Sequence, residues 1–377
     1  MGNGGKMKRL LMALGMAIAW AVVGLANQPR TKVILDTDMV EDYDDVGALA
    51  TLHALADEGK CEILATVSST RGNQSVAAVE ILNAAYGRPD IPVGCAKGIG
   101  VVGTTEGPDR MARHGTYAWL AQRYARDVRH FNSDAAPDAN VVYRRALAAA
   151  PDGSVVICCV GFLTNLRRLL ETGPDTASPL NGRELVAKKV RALYTMAGDY
   201  PKGREYNIRH DAASAKIVFA QWPTPIYVAD FNLGRDVYSG RTAAERQYAY
   251  PNPVHDVYER CLPSRADTHK PGAWDREEGG HCSWDPIAVL AAVTGTETFF
   301  AVAKGGYSVA DDGSNTWMET LGNGGGALQL DESRGFTRHG LGQILDDLIA
   351  REPRCRLSRG LLVACNECLT PVVGFEW

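Results

Sequence analysis

The chain has 377 residues, 45% of them hydrophobic and 22% charged, a composition that fits a soluble globular protein and excludes disordered, collagenous and coiled-coil readings. Forty basic against forty-four acidic side chains leave a net charge of −4, which offers no electrostatic footprint for a polyanion, so nucleic acid is not an expected partner. At the N-terminus Lys6, Lys8 and Arg9 precede an uncharged apolar run from Leu10 to Leu25, too short for a comfortable membrane span, and Gly24 and Ala26 are small residues of the kind a signal peptidase reads. This predicts a signal peptide over residues 1–26, a secreted or periplasmic protein with no stable membrane anchor, and a mature net charge of −7.

From Thr31 onward short β-branched runs alternate with amphipathic stretches. Strands are expected at Lys32–Leu35, Ile63–Val67, Ile91–Cys95, Val155–Val160, Val190–Met196 and Pro225–Val228. Helices are expected at Val46–Ala56, Val76–Tyr86, Ala118–Arg126, Val141–Ala149, Asn165–Glu171 and Ala212–Trp222. The alternation predicts an α/β fold, an open, mainly parallel sheet flanked by helices with a Rossmann-type core, filling residues 27–350 as one domain. Beyond Asp230 the pattern loosens to a helix at Asp285–Val293, a hairpin turning at Asp312 and Gly313, a loop at Gly322–Gly326 and a last helix at Leu341–Ala350. Residues 351–377 form a tail with three of the nine cysteines, Cys355, Cys365 and Cys368, which export would permit to form a disulfide; Cys61, Cys158 and Cys159 read as small core hydrophobes.

Ligands of open α/β sheets bind outside the carboxyl ends of the strands, and that is where the polar residues gather. After the first strand comes Asp-Thr-Asp-Met-Val-Glu-Asp-Tyr-Asp-Asp, with Asp36, Asp38, Asp42, Asp44 and Asp45 beside Glu41. Arg71, Gly72 and Asn73 follow the second strand; Gly161, Thr164 and Asn165 follow the fourth; Gly198, Asp199, Glu205 and Asn207 follow the fifth. Aspartates so crowded repel one another in a buried crevice, and a bound cation is the simplest way to neutralise them. Hard oxygen ligands favour Ca²⁺ or Mg²⁺ over zinc.

At these residues the chain resembles the inosine-uridine preferring nucleoside hydrolases. Their signature, a strand ending in DxD followed by a DD pair that opens a helix, corresponds to Asp36-Thr37-Asp38 and Asp44-Asp45. In the same order come SSTRGN ending at Asn73, VGFLTN from Val160 to Asn165, GREYN from Gly203 to Asn207 and SWDPIAVL from Ser283 to Leu290. The resemblance implies an N-glycosidase that cleaves small-molecule ribonucleosides with Ca²⁺ as cofactor, and a homo-oligomer. Carried over by position, it implies Asp38 as metal contact and general base toward water, and Asp45, Asp285 and the Val160 carbonyl as metal ligands. Asp44 and Asn207 would bind the ribose hydroxyls, Glu205 the sugar's 5′ end, and Asn73 would support the metal and water cluster.

Two departures leave choices open. The interval from Asp38 to Asp44 is two residues longer than the family's short form, so Asp42 competes with Asp44. Trp284 stands where many members carry a histidine that acts on the leaving base; it would stack on a nucleobase or pack in the core, and His281, Tyr206 or Asp199 would then be the candidates to supply an acid. Two rival readings remain: a phosphatase of the haloacid dehalogenase type with Asp36 as nucleophile, and a non-catalytic exported protein that captures ribosides or sugars.

Overall fold

The computed structural model describes residues 30–40, 42–102, 115–262, 275–276 and 279–353. The expected signal peptide, Glu41 and the three tail cysteines lie outside the described residues. Eight strands build the central sheet: β1 Thr31–Thr37, β2 Cys61–Ser68, β3 Val93–Cys95, β4 Val155–Cys159, β5 Val190–Met196, β6 Ile226–Ala229, β7 Phe300–Lys304 and β8 Gly326–Leu330. Their spatial order is β7-β8-β6-β5-β4-β1-β2-β3. Every neighbouring pair is parallel except β7 with β8. The run 3-2-1-4-5-6 is the doubly wound order, and its direction reverses between β1 and β4, where such sheets open a crevice.

The period of two in β1 divides the core. Val33 and Leu35 face helices Asp44–Asp57, Ser75–Ala85, Trp284–Thr294 and Arg338–Ile349, whereas Ile34 faces helices Ala139–Ala149, Thr164–Glu171, Gly182–Lys189 and Ala212–Gln221. Strands buried on both faces are continuous apolar runs, which is why Val155–Cys159 is legible without alternation. Cys61, Cys158 and Cys159 are buried within these strands as expected.

Several boundaries and two strands differ from the sequence expectation. Helix Ala139–Ala149 starts before the apolar period because the Asp138 side chain accepts the Asn140 N–H. The expected strand at Ile91 shortens to Val93–Cys95, with Pro92 just before it. The hairpin forms as expected, Gly306–Val309 against Asn315–Met318, with Gly313 left-handed in its turn. The glycine stretch expected to be only a loop ends in β8 instead. Here the glycines are packing residues, since a Cβ on Gly325 would stand 1.9 Å from the Ile226 carbonyl oxygen and one on Gly326 2.3 Å from that of Ala303. Among the described residues no helix is long and apolar enough to cross a membrane.

Candidate active site

The site begins with the strand alternation. Asp36 follows Ile34 to one side of the sheet, and Thr37 follows Leu35 to the other, where its hydroxyl donates to Asp45 Oδ1. The Met39 N–H reaches the same oxygen at 3.3 Å, from a residue whose φ of +46° is rare for a side chain without a polar group. Across β4 the chain closes on Asp38 through Gly161: a Cβ there would lie 2.7 Å from both Cβ and N of Asp38 and 2.8 Å from Ser69 Oγ. Glycine is required for the loop that carries the Val160 carbonyl to approach so closely.

Asp44 and Asp45 occupy the first turn of helix Asp44–Asp57, and Asp285 that of helix Trp284–Thr294. The Asp285 N–H donates to Asp44 Oδ2 at 3.0 Å, tying the two helix starts together. Each of Asp44, Asp45 and Asp285 brings a carboxylate oxygen within 4.8 Å of the other two, and all three residues are buried. At that range two bare charges repel by about 3 kcal/mol even at an effective dielectric near 20. Burial, and after it the neighbouring aspartates, push Asp38 and Asp285 well above the usual carboxylate range. Asp44 is raised by burial and Asp42, with His281 acting against them. Asp45 rises only to about 6, because burial is opposed by the Thr37 hydroxyl and the Met39 N–H.

This donor set suits a hard divalent cation. Its members are oxygens, the helix starts alone cannot neutralise several carboxylates, and the histidine and cysteine ligands that select zinc are missing from the Asp44, Asp45 and Asp285 group. The Val160 carbonyl accepts the Asn207 amide at 3.3 Å, and a carbonyl oxygen has a second lone pair for another partner.

The remaining sequence candidates fall around this centre in different ways. Asn207 also donates to the Met196 carbonyl at 3.3 Å, so its amide joins the ends of β4 and β5. Glu205 caps the short helix Tyr206–His210: Oε1 accepts the Asn207 N–H at 2.7 Å, and Oε2 accepts those of Gly198 at 2.9 Å and Ile208 at 3.2 Å. Burial raises its pKa. Asn73 Oδ1 accepts from Ser75 N at 3.1 Å and Ser133 Oγ at 3.2 Å, at the start of helix Ser75–Ala85.

Asp42 pairs with His281, Oδ1 to Nε2 at 2.6 Å, and the imidazole stacks on Tyr43 with centroids 4.2 Å apart. Asp42, Asp44 and His281 bring ligand atoms within 4.8 Å of one another, so Asp44 belongs both to this group and to that of Asp45 and Asp285. Trp284 is buried, stacks on Phe231 at 5.4 Å and donates its indole N–H to the Phe231 carbonyl at 2.9 Å, which is the packing arrangement of the two left open. Of the other acid candidates, Tyr206 lies 4.2 Å from the His210 ring, and Asp199 is half-buried with its pKa raised by burial.

Beneath the site lies a network whose full extent the sequence did not announce. Asp36, fully buried, accepts from Tyr143 Oη at 2.9 Å and Asn165 Nδ2 at 3.1 Å, and the same amide donates to the Ser68 carbonyl at 3.0 Å. Burial raises Asp36 to about 8 against the pull of these two donors. Asp36 and Asn165 stand in recognisable motifs, but Tyr143 arrives from a helix with nothing to mark it. The phosphatase reading fails here, because its nucleophile would be sealed between Tyr143 and Asn165 on the far face from the aspartate cluster.

The chain is thus a doubly wound α/β protein with a buried acidic crevice beside the reversal of its strand order. The sequence profile of the inosine-uridine preferring nucleoside hydrolases matches residues 33–340, and the chain belongs to that family. Among solved structures, the chain is similar to the plant nucleoside hydrolase PpNRh1, at 20% identity and a TM-score of 0.59 over 85% of this chain and 99% of that one. It is similar also to a purine-preferring ribonucleoside hydrolase from Gardnerella vaginalis, at 17% and 0.60 over 85% and 99%. An inosine-guanosine nucleoside hydrolase aligns at 17% and 0.57 over 84% and 98%. At these identities the structural likenesses establish the fold alone. No curated protein matches the sequence significantly.

Proposed function

We propose that the chain is an exported, Ca²⁺-dependent hydrolase that cleaves the N-glycosidic bond of ribonucleosides, releasing ribose and the free base. The observation that carries this reading is the buried cluster of Asp44, Asp45 and Asp285 carboxylates within 4.8 Å of one another, with Asp38 close enough for the charges of Asp44 and Asp45 to raise its pKa. Asp38, Asp45, Asp285 and Val160 would hold the cation, which when bound supplies positive charge to orient water and the sugar's diol. Asp38 takes the proton from the attacking water as general base. Asp44 and Asn207 hold the ribose hydroxyls, and Glu205 the 5′ end. The buried carboxylates stabilise the positive charge that develops on the sugar as the base departs. Asn73, whose Oδ1 is engaged with Ser75 and Ser133, supports the metal and water cluster from the loop after β2.

Two of the similar solved proteins carry names specifying purine-preferring and inosine-guanosine activity, which puts purine ribosides first in the order of trial. The test is direct: purified mature protein, a panel of purine, pyrimidine and nicotinamide ribosides, added Ca²⁺, and assays for reducing sugar and free base. Release of both in equal amounts is expected; saturable binding without product would reject the reading. Export rests on the basic residues and apolar run before Ala26, and mass spectrometry of the secreted form should find an N-terminus at Asn27. An intact Met1 or Met7 would overturn it.

A further inference from the structure

The histidine missing from the Asp44, Asp45 and Asp285 group stands beside it. His281 Nε2 meets Asp42 Oδ1 at 2.6 Å, and Asp44 brings a carboxylate oxygen within 4.8 Å of the ligand atoms of both. His281 lies on the strand Gly280–Cys282, which pairs antiparallel with Tyr238–Gly240. Its imidazole is held on two sides, stacked on Tyr43 with the planes 27° apart and meeting the Trp284 ring edge-on at 5.9 Å. The Tyr117 hydroxyl donates to the Asp42 carbonyl, which ties the loop to helix Thr116–Arg123. The Asp42 side chain is 34% exposed against 1% for His281, so the group opens to solvent through its loop carboxylate.

The charge balance of the crevice points to an ion at this group as well. Burial raises the pKa of Asp38, Asp44, Asp45 and Asp285, and the charge of Asp42 raises each of them further. One divalent cation and an imidazolium together balance three of these five carboxylates, which leaves two negative charges in a mostly buried crevice. Exchanging the imidazolium proton for a second divalent cation leaves one.

We infer that Asp42, Asp44 and His281 Nε2 form a second cation site, one for a borderline divalent ion such as Co²⁺ or Zn²⁺. An imidazole nitrogen with two carboxylate oxygens suits such ions, whereas the all-oxygen group beside it suits Ca²⁺. Ligand atoms on a tetrahedral zinc stand about 3.4 Å apart, a separation that lies between the 2.6 Å of the Asp42–His281 pair and the 4.8 Å bound on the whole group. The ion takes the place of the proton shared by imidazole and carboxylate, and that proton goes to solvent. The stacked Tyr43 and the edge of Trp284 fix the ring that would bind it. An ion here engages Asp44, the carboxylate proposed for the ribose hydroxyls, and so inhibits in competition with the riboside. Only this inhibition rests on the proposed function; the site does not.

The experiment titrates Co²⁺ into the purified protein kept saturated with Ca²⁺, in the wild type, Asp42→Asn and His281→Gln, and follows visible absorption, calorimetric stoichiometry and retained Ca²⁺. The wild type should bind one equivalent with the visible bands of nitrogen and oxygen ligation, without thiolate-to-cobalt bands in the near ultraviolet and without losing Ca²⁺. Partners that only orient a ligand are worth about 10- to 100-fold in metal affinity, so loss of a ligand should weaken Co²⁺ by at least a hundredfold in either variant. No Co²⁺ bound beside Ca²⁺, displacement of Ca²⁺, or thiolate bands that put the ion on cysteine would each overturn the inference. Unchanged affinity in the folded variants would do the same, and if circular dichroism shows His281→Gln unfolded, Asp42→Asn in its part-exposed loop carries the test. Co²⁺ should also raise the KM of p-nitrophenyl riboside and leave kcat unchanged. Should the wild type cleave no riboside, the hydrolase reading fails by itself, and the spectral and calorimetric results still decide the cation site.

Discussion

Two sets of buried carboxylates lie near the end of β1, one on the strand and the other on the helix starts beside it, and they are satisfied in opposite ways. Asp36, beneath the sheet, meets two hydrogen-bond donors, Tyr143 and Asn165. Asp44, Asp45 and Asp285 meet mainly one another. Asp45 is intermediate, with the Thr37 hydroxyl and the Met39 N–H on one oxygen. A buried carboxyl surrounded by donors can be a permanent part of the fold, whereas carboxyls facing carboxyls need a partner from solution. The first arrangement orders the strand ends; the second gives them something to bind.

The largest expected effects come from breaking the second set. Asp45→Ala should remove bound Ca²⁺ and activity together, with chelation of the wild type producing the same loss. Full activity after exhaustive chelation, or no divalent ion by elemental analysis of active enzyme, would reject the metal site. Asp38→Asn should lower kcat by about 10² to 10⁴ while leaving substrate affinity nearly intact, as removal of a general base commonly does. An equal loss appearing in KM alone would assign Asp38 to binding instead.

Residues proposed to touch the substrate or its leaving base rather than the cation give smaller effects. If the Asp42–His281 pair supplies the proton to the departing base in place of the family's histidine, His281→Ala should slow inosine cleavage by about 10²-fold. It should barely affect p-nitrophenyl riboside, whose leaving group needs little protonation. Equal losses on both substrates would make His281 a packing residue under Tyr43. Trp284→Ala should act through stability, since its indole is spent on Phe231, and a selective change in purine KM would instead put it in the base pocket. Asp44→Ala should weaken riboside binding by ten- to a hundredfold, the loss of a charged hydrogen bond. Greater damage from Asp42→Ala would reverse the assignment of the longer loop.

Much of this was legible because it is written locally. The strand and helix alternation, the DxD and DD motifs and the apolar helix starting at Trp284 each reside in a few consecutive residues. What escaped was non-local. β7 and β8 depend on glycines that matter only because the backbones of Ile226 and Ala303 come against them. Tyr143 comes to Asp36 from a helix whose own sequence says nothing of it. Trp284 shows a different limit: its position in a motif announced the site, but the side chain's surroundings decided that it packs on Phe231.

The smallest effect tests the donor-rich face through its proton. Asp36 has a folded pKa near 8 against 3.8 for an unperturbed aspartate, so between those values the folded state holds a proton that the unfolded chain has released. Its contribution to stability is therefore complete below about pH 4 and is lost as pH rises through 8, at a slope of no more than about 1.4 kcal/mol per unit. In metal-free protein, Asp38, Asp44 and Asp285 shift in the same direction, whereas a bound divalent cation would displace their protons and reverse their part of the dependence. Asp36→Asn isolates the remaining part, because an amide cannot titrate yet can still accept from Tyr143. Urea midpoints at pH 4.5, 6 and 7.5, with and without Ca²⁺, should show the variant gaining on the wild type as pH rises in both series. A gap that does not change with pH would mean that Asp36 is charged in the fold, and that two hydrogen bonds suffice to hold a buried carboxylate where the opposite face needs a cation.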